Sequence, residues 1–227
     1  MTARYGRRIA GLRAQPGDEV RDLHVDDAEF LGCVARVSAD PAQRLRISQT
    51  TLSRCGAYDC YVEGARLEDV VVDGLDTNDM LRVCGSVFRR VVIKGAMGCL
   101  QIVPWLHMSY ENLQPVYDRA NRDFYATVDW ALDISQAVGV PLDIRGVPGR
   151  LVRRNPETQG LMTFEQALLG SWRSVDLAGT HFSAAPKLLL DEGLEDILLI
   201  ADQRSPDLAH QVTVLERLRQ AGAILPD

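Results

Sequence analysis

The sequence predicts a mainly β protein whose chain winds as a parallel β-helix with coils of about 21 residues, and two observations support this fold class. First, residues 66–74 (RLEDVVVDG) recur as residues 87–95 (VFRRVVIKG), an offset of 21 residues. Second, the small and apolar residues here follow a period of five, which fits neither the period of about 3.6 of an α-helix nor that of about two of a strand. A chain that bends every five residues completes four sides in about 21 residues, so the repeat indicates stacked coils with a shared core.

The two copies of the repeat differ in the sign of their charges. Acidic residues of the first copy correspond to basic residues of the second in one register: Glu68 to Arg89, Asp69 to Arg90 and Asp73 to Lys94. Opposite charges directly across a strand pair favour pairing by about 0.2–1 kcal/mol, with exposed pairs at the low end. We therefore expect these pairs to set the register, although two independently solvated faces are an alternative.

A finer pattern runs through the same region. In groups of five from Thr50, the central residue is apolar five times in succession: Leu52, Ala57, Val62, Leu67 and Val72. This pattern resembles the pentapeptide-repeat proteins, with TTLSR (50–54), ARLED (65–69) and SVFRR (86–90) as the best matches. The resemblance covers about residues 28–103 and 126–152, and it implies a right-handed β-helix whose central residues point inward. The usual Asn or Asp before the central residue is missing, so the predicted β-helix is irregular.

The expected core follows from this register. Nine apolar residues are predicted to point inward: Leu67, Val70, Val72, Leu81, Val83, Phe88, Val91, Ile93 and Ile102. Among them, Leu67 and Phe88 should occupy equivalent positions on neighbouring strands.

The chain is expected to divide into three regions. Residues 1–27 form an N-terminal tail or cap, and residues 28–154 form the β-helix. An amphipathic helix at about 113–125 interrupts the β-helix, with Pro115 in its first turn. Residues 155–227 form a mostly helical C-terminal cap, because an open solenoid end exposes unpaired backbone and core.

Local signals support the C-terminal elements. Thr163 and Gln166 form a capping box for a helix from Phe164 to about Trp172. A second helix is expected to begin near Pro186 and end at Gly193, and a third to run from about 206 until Gly222. A short strand is expected at 197–200.

Composition bounds the function. The net charge of −6 argues against a general nucleic-acid binder, and the sequence contains neither a membrane-helix-like apolar run nor a signal peptide. Five cysteines without a secretion signal indicate reduced thiols in the cytoplasm. The five-residue spacing of Cys55 and Cys60 does not match a zinc knuckle, so we expect neither a metal nor a cofactor.

Two charged stretches are the candidate binding sites. The acidic one consists of Asp73, Asp76, Asn78 and Asp79, and the basic one of Arg145, Arg150, Arg153 and Arg154. Clustered carboxylates suit a cation or acid–base chemistry on a polysaccharide, but Asp and Asn also favour polar corners. Arginines suit an anionic ligand or an acidic partner surface, but charged residues also protect strand edges. No catalytic triad, phosphate loop or metal motif is recognisable, and no catalytic residue is predicted.

The sequence thus favours a non-catalytic binding or scaffold protein of bacterial type, which recognises a protein partner through a β-helix face and the inserted helix. One alternative is a carbohydrate-active β-helix enzyme or a lectin. Another is a topoisomerase-directed DNA mimic, as some pentapeptide-repeat proteins are, or a toxin-immunity protein. Mimicry needs a continuous acidic face, which Arg89, Arg90 and Lys94 would neutralise. Direct nucleic-acid or membrane binding is not expected, and homo-oligomers would use an uncovered face or end.

Overall fold

The computed structural model describes residues 6–139 and 142–226, which contain nineteen strands and four α-helices. Within these residues, eleven strands form one parallel sheet: β1 (Arg7–Ala10), β3 (Glu19–Arg21), β4 (His24–Asp26), β5 (Ala28–Leu31), β7 (Arg46–Tyr58), β9 (Arg66–Thr77), β11 (Val87–Arg89), β12 (Val91–Met97), β14 (Leu132–Asp133), β15 (Ala137–Gly139) and β17 (Val152–Arg153).

A second parallel sheet has six strands in the described part of the chain: β2 (Arg13–Ala14), β6 (Val34–Ala35), β8 (Tyr61–Glu63), β10 (Leu81–Cys84), β13 (Leu100–Val103) and β16 (Leu142–Ile144). β18 (Gln159–Thr163) and β19 (Asp196–Ile200) pair antiparallel. The α-helices are α1 (Gln114–Tyr125), α2 (Phe164–Leu169), α3 (Ala185–Glu192) and α4 (Leu208–Gln220).

The predicted fold class, a right-handed parallel β-helix with an inserted helix and a helical cap, is wrong. Over the described residues the strands form separate parallel sheets of eleven and six strands, not a closed or solenoid sheet, and with the four helices they give a parallel α/β-like layout. The physical reason is strand length. β7 and β9 are 13 and 12 residues long, so hydrogen-bonded strand continues through positions where separate five-residue sides were expected.

The five-residue rhythm nevertheless has a counterpart in the backbone. Left-handed φ angles recur at this spacing from β7 through β9: Gln49, Arg54, Asp59, Gly64, Asp69 and Gly74. Residues with side chains rarely adopt this conformation, so its regular recurrence marks repeated local bends. These positions match the spacing of the predicted bends, although the strands β7 and β9 run through four of them.

The predicted register between the repeat copies is also confirmed. Leu67 lies opposite Phe88 in the parallel pair of β9 and β11. Val72 lies opposite Ile93, and Asp73 opposite Lys94, in the pair of β9 and β12. The offset of 21 residues thus specifies which residues become neighbours.

Most of the predicted inward residues lie in the main hydrophobic core. Six are buried: Val70, Val83, Phe88, Val91, Ile93 and Ile102. The other three, Leu67, Val72 and Leu81, are partly buried and pack against that core.

The helix predicted at about 113–125 is confirmed as α1, with Pro115 in its first turn. Three arginines contact aromatic rings of this helix. The guanidinium of Arg44 lies 4.5 Å from the centre of the buried Tyr117 ring and donates a hydrogen bond of 2.6 Å to Asn121 Oδ1. Arg89 lies over Phe124 at 5.1 Å. These contacts fix α1 against the sheet region.

The C-terminal region has a core of its own, formed by β18, β19 and the helices α2 to α4. The predicted capping box of Thr163 and Gln166 is confirmed, but α2 ends at Leu169, because Gly170 adopts a left-handed conformation. The strand predicted at 197–200 is confirmed as β19. Its partner β18 was not predicted.

The predicted boundaries at residues 27 and 154 remain predictions. Four strands, β1 to β4, lie within the proposed tail, and β1 pairs with β5 beyond it. Residues 1–5, 140–141 and 227 of the predicted regions lie outside the described residues. Among the residues that are described, no helix combines the length and the apolar character needed to span a membrane.

Candidate functional site

The three predicted charge pairs form. Glu68 and Arg89 are joined at 3.3 Å, Asp69 and Arg90 at 2.6 Å, and Asp73 and Lys94 at 3.2 Å. A hydrogen bond from Arg90 lowers the pKa of the Asp69 carboxyl, against the opposing effect of its burial. The alternative of two independently solvated faces is thus wrong, because the acidic residues of the first copy pair with the basic residues of the second.

Members of the predicted acidic site contact neighbouring strands. Asp76 accepts a hydrogen bond of 2.9 Å from the Tyr58 hydroxyl, and Asn78 Nδ2 donates one of 2.8 Å to Asp59 Oδ1. Asp79 lies exposed beside them. No group of three or more potential metal-ligating side chains occurs in the described residues. The binding role of this stretch therefore remains a prediction.

Arg145, from the predicted basic site, lies at the centre of an ion-pair network. Its guanidinium donates to Asp143 at 2.9 and 2.7 Å and to Glu192 at 2.9 and 2.8 Å, and it lies 5.1 Å from the Trp105 ring centre. Burial opposes the charge, but the hydrogen bonds to the two carboxylates outweigh it and raise the pKa of Arg145. This side chain joins the turn after β16 to α3 and is not free to receive a ligand.

The other three arginines of the stretch have three different environments. Arg153 covers Trp130 at 4.1 Å, and Arg154 donates a hydrogen bond of 3.0 Å to the Gly149 carbonyl. Arg150 lines a cleft. The structure thus does not bring the four arginines together around one ligand position.

That cleft, of about 390 Å³, lies between α1 and the turns at 146–150 and 193–196. Charged residues of both signs line it: Asp118, Arg122, Arg150, Glu195 and Asp196. Burial raises the pKa of the Asp196 carboxyl, although its hydrogen bond from the Gly149 amide, at 2.8 Å, acts the other way. Apart from Arg150, none of these residues was singled out from the sequence, because they meet only through tertiary packing.

An exposed apolar surface on α2 was also missed. Phe164, Leu168 and Leu169 are 39, 65 and 74% exposed, and we call these three side chains the α2 apolar face. On the inner side of the helix, Ala167 is fully buried. The adjacent Leu168 and Leu169 were the signal in the sequence, since neighbouring residues of a helix point in different directions and cannot all face the core together with Ala167.

Histidines contribute to local structure. His181 Nε2 lies 2.9 Å from the Ile200 carbonyl oxygen, and His210 Nε2 lies 2.9 Å from that of Ala178. The His107 ring accepts a hydrogen bond from the Ser109 amide at the start of a 3₁₀ segment, Met108–Leu113. The rings of His181 and His210 connect distant chain segments, whereas that of His107 caps its own segment.

No family model matches the chain, and neither a curated protein nor a solved structure matches it. Function is therefore inferred from the surface and its chemistry.

Proposed function

We propose that the protein is a non-catalytic binding protein that docks a protein partner on the α2 apolar face. The observation that carries this proposal is the exposure of Phe164, Leu168 and Leu169 within one short helix. Single exposed apolar residues are common, but contiguous apolar patches mark sites of interaction.

The α2 apolar face is held rigidly. The capping box of Thr163 and Gln166 closes the first turn of the helix, and Gly170 ends it in a left-handed conformation. The indole of Trp172 donates a hydrogen bond of 3.0 Å to the Ala167 carbonyl. A partner therefore meets a preorganised surface, which lowers the entropic cost of binding.

A groove next to α2 is separate from the three side chains of the α2 apolar face, none of which lines it. This groove of about 850 Å³ begins at Gln166 on the same helix, and its apolar lining comes from Pro156, Val212, Ile224 and Pro226. Gln166 Nε2 donates a hydrogen bond of 3.3 Å to the Gly222 carbonyl and so links α2 to the far wall.

The proposed docking surface on α2 differs from the β-helix face and inserted helix that were expected from the sequence. The acidic residues of β9 are paired with Arg89, Arg90 and Lys94, which argues against both partner binding there and DNA mimicry. The C-terminal region offers the exposed apolar surface instead. All five cysteines, each within the described residues, are free thiols, which supports the proposal of a reducing compartment such as the cytoplasm.

The test is affinity capture from a bacterial lysate with the wild-type chain and the double variant Leu168→Asp/Leu169→Asp. We expect the variant to lose a protein that the wild type retains, because two carboxylates in the patch oppose burial against an apolar partner. Met108→Asp is the matched control, since Met108 is 84% exposed and lies in the 3₁₀ segment, away from α2 in the sequence.

Sedimentation of the purified chain identifies a second copy as the occupant if the wild type self-associates and the double variant does not. Capture that is equal for the wild type and both variants would rule out the α2 apolar face as the docking site.

A further inference from the structure

A pocket of about 480 Å³ lies beside the six-stranded sheet and is lined by polar and aromatic residues that the proposed function does not use. Tyr61 and Glu63 enter it from β8, where they alternate with Val62, which packs against the core. His107 and Tyr110 close it from the segment that leads into α1. Residues from distant parts of the chain thus meet at one position.

Glu63 is the unusual member of this set, because it is a carboxylate that is only 4% exposed. Its Oε1 accepts a hydrogen bond of 2.5 Å from the His107 amide. No hydrogen bond to its Oε2 occurs among the described residues, and the side chain is part of the pocket lining.

No salt bridge to Glu63 forms within the described part of the chain. Buried carboxylates are normally paired, because desolvation of an unpaired charge is costly. The negative charge acts locally: burial is the main cause of the raised pKa of the Cys84 thiol, and the Glu63 carboxylate raises that pKa further.

Two tyrosine rings share the pocket with this charge. The hydroxyl of Tyr61 donates a hydrogen bond of 3.3 Å to Cys84 Sγ, which fixes the ring. The backbone amide of Tyr110 donates to the His107 carbonyl at 2.8 Å, and its side chain packs against Tyr117 and its apolar neighbours. Aromatic rings around a carboxylate provide both the π surface and the counter-ion that an organic cation prefers.

A metal ion suits the pocket less well than an organic cation. In the described residues no group of three or more side chains could ligate one, and tyrosine rings and Val34 form much of the lining. The basic groups nearby are Arg36 and His107 in the lining and Arg82 opposite Tyr61 on β10. None of them forms a salt bridge with Glu63 in the described part of the chain.

We propose that this pocket binds an organic ammonium group, a primary or methylated amine, with Glu63 as its counter-ion and the rings of Tyr61 and Tyr110 as its walls. The group is either a free small amine or a lysine side chain of another protein, and the chemistry of recognition is the same. This inference is independent of the α2 apolar face.

The test is a titration of the full chain, followed by NMR, with three probes: n-butylammonium, Nα-acetyl-lysine N-methylamide and the uncharged Nα-acetyl-norleucine N-methylamide. We expect the two ammonium probes to bind with a Kd of roughly 1 mM, as suits ligands of this size, and the uncharged probe not to bind. Binding of both ammonium probes supports a lysine side chain as the source, and binding of n-butylammonium alone supports a free amine.

Glu63→Gln should weaken binding by about tenfold or more, because it removes the counter-ion and leaves the cation's desolvation uncompensated. The variant keeps an oxygen that accepts from the His107 amide, and an unchanged midpoint of thermal unfolding confirms that it folds. Glu111→Gln is the matched control: Glu111 lies in the same 3₁₀ segment, is exposed and does not line the pocket.

Equal binding of norleucine and lysine probes, no binding of either ammonium probe, or equal affinity in wild type and Glu63→Gln would each overturn the proposal. Binding of the ammonium probes to Arg36→Gln but not to the wild type would also overturn the proposal, because Arg36 would then be the native ion-pair partner of Glu63.

Discussion

The parallel-sheet region has a surface of paired charges, whereas the C-terminal region has an exposed apolar surface. Charged side chains of β9 meet and neutralise those of the neighbouring segment 89–94, as Asp69 and Arg90 do at 2.6 Å. On α2, in contrast, Leu168 and Leu169 remain 65 and 74% exposed above a well-packed core. The charges of the first surface are paired within the protein, whereas the apolar side chains of the second remain exposed to solvent. This difference supports the proposal that the sheet region is a scaffold and that α2 carries its docking surface.

The largest expected effect concerns the core of the scaffold. Phe88 is 2% exposed and lies opposite Leu67, so Phe88→Ala should lower the free energy of unfolding by about 3–5 kcal/mol through lost burial and the cavity left behind. Urea unfolding monitored by circular dichroism measures this change.

The matched control for this prediction is Phe164→Ala on α2. Phe164 is 39% exposed, so its truncation should cost about 1 kcal/mol or less. Equal losses of stability for the two variants would contradict the difference in burial between Phe88 in the sheet core and Phe164 on α2.

A second prediction concerns the junction of the two regions. Arg145 is joined to Asp143 in the sheet region and to Glu192 at the end of α3. Arg145→Ala leaves both carboxylates without their partner. The expected cost is about 2–3 kcal/mol, below the range for fully buried pairs, because both carboxylates are partly exposed.

Arg153→Ala serves as the control for the junction. It removes an arginine that covers Trp130 from an exposed position, so it should cost about 0.5–1 kcal/mol. If thermal unfolding shows the same small loss for both variants, the ion-pair network does not couple the regions.

Much of the sheet region could be predicted because its determinants are local or repeated. The offset that places Leu67 on Phe88 and Asp69 on Arg90 predicted the observed register. The bends at five-residue spacing also have their counterpart in the left-handed residues from Gln49 onward. Pairing register, however, does not specify how sheets are arranged, because this depends on packing between distant segments. The predicted β-helix failed at that step.

The candidate sites were harder to predict for the same reason. Glu63 and His107 are 44 residues apart, and nothing in the sequence near either one indicates the other. The exposure of Leu168 depends on which side of α2 the core covers. Arg145 was predicted as a ligand-binding residue, whereas the fold uses it as an ion-pair partner. A charged stretch in a sequence does not reveal whether its charges are already paired.

The smallest expected effect tests the charge pairing itself. Asp69→Arg places two arginines across the strand pair and should destabilise the protein by about 0.5–1 kcal/mol. Adding Arg90→Asp reverses the pair and should restore most of the loss, as measured by urea unfolding. The swap is well matched because Asp69 and Arg90 both have left-handed backbone, with φ of 55° and 52°. The double variant therefore keeps one aspartate and one arginine in that conformation.

The dependence of this pair on pH gives an independent control. The hydrogen bond from Arg90 lowers the pKa of Asp69 below its usual value of 3.8, against the effect of burial. Its stabilisation is therefore fully present above the unfolded pKa and is lost as the pH falls through the lower, folded pKa. Asp69→Asn should lose less stability than the wild type over that acidic window, by well under about 1 kcal/mol because the pair is exposed.

In the charge swap, a double variant that remains as unstable as Asp69→Arg would show that the strand register rests on the apolar positions around Leu67 and Phe88 alone, since their packing is the same in every variant of the pair.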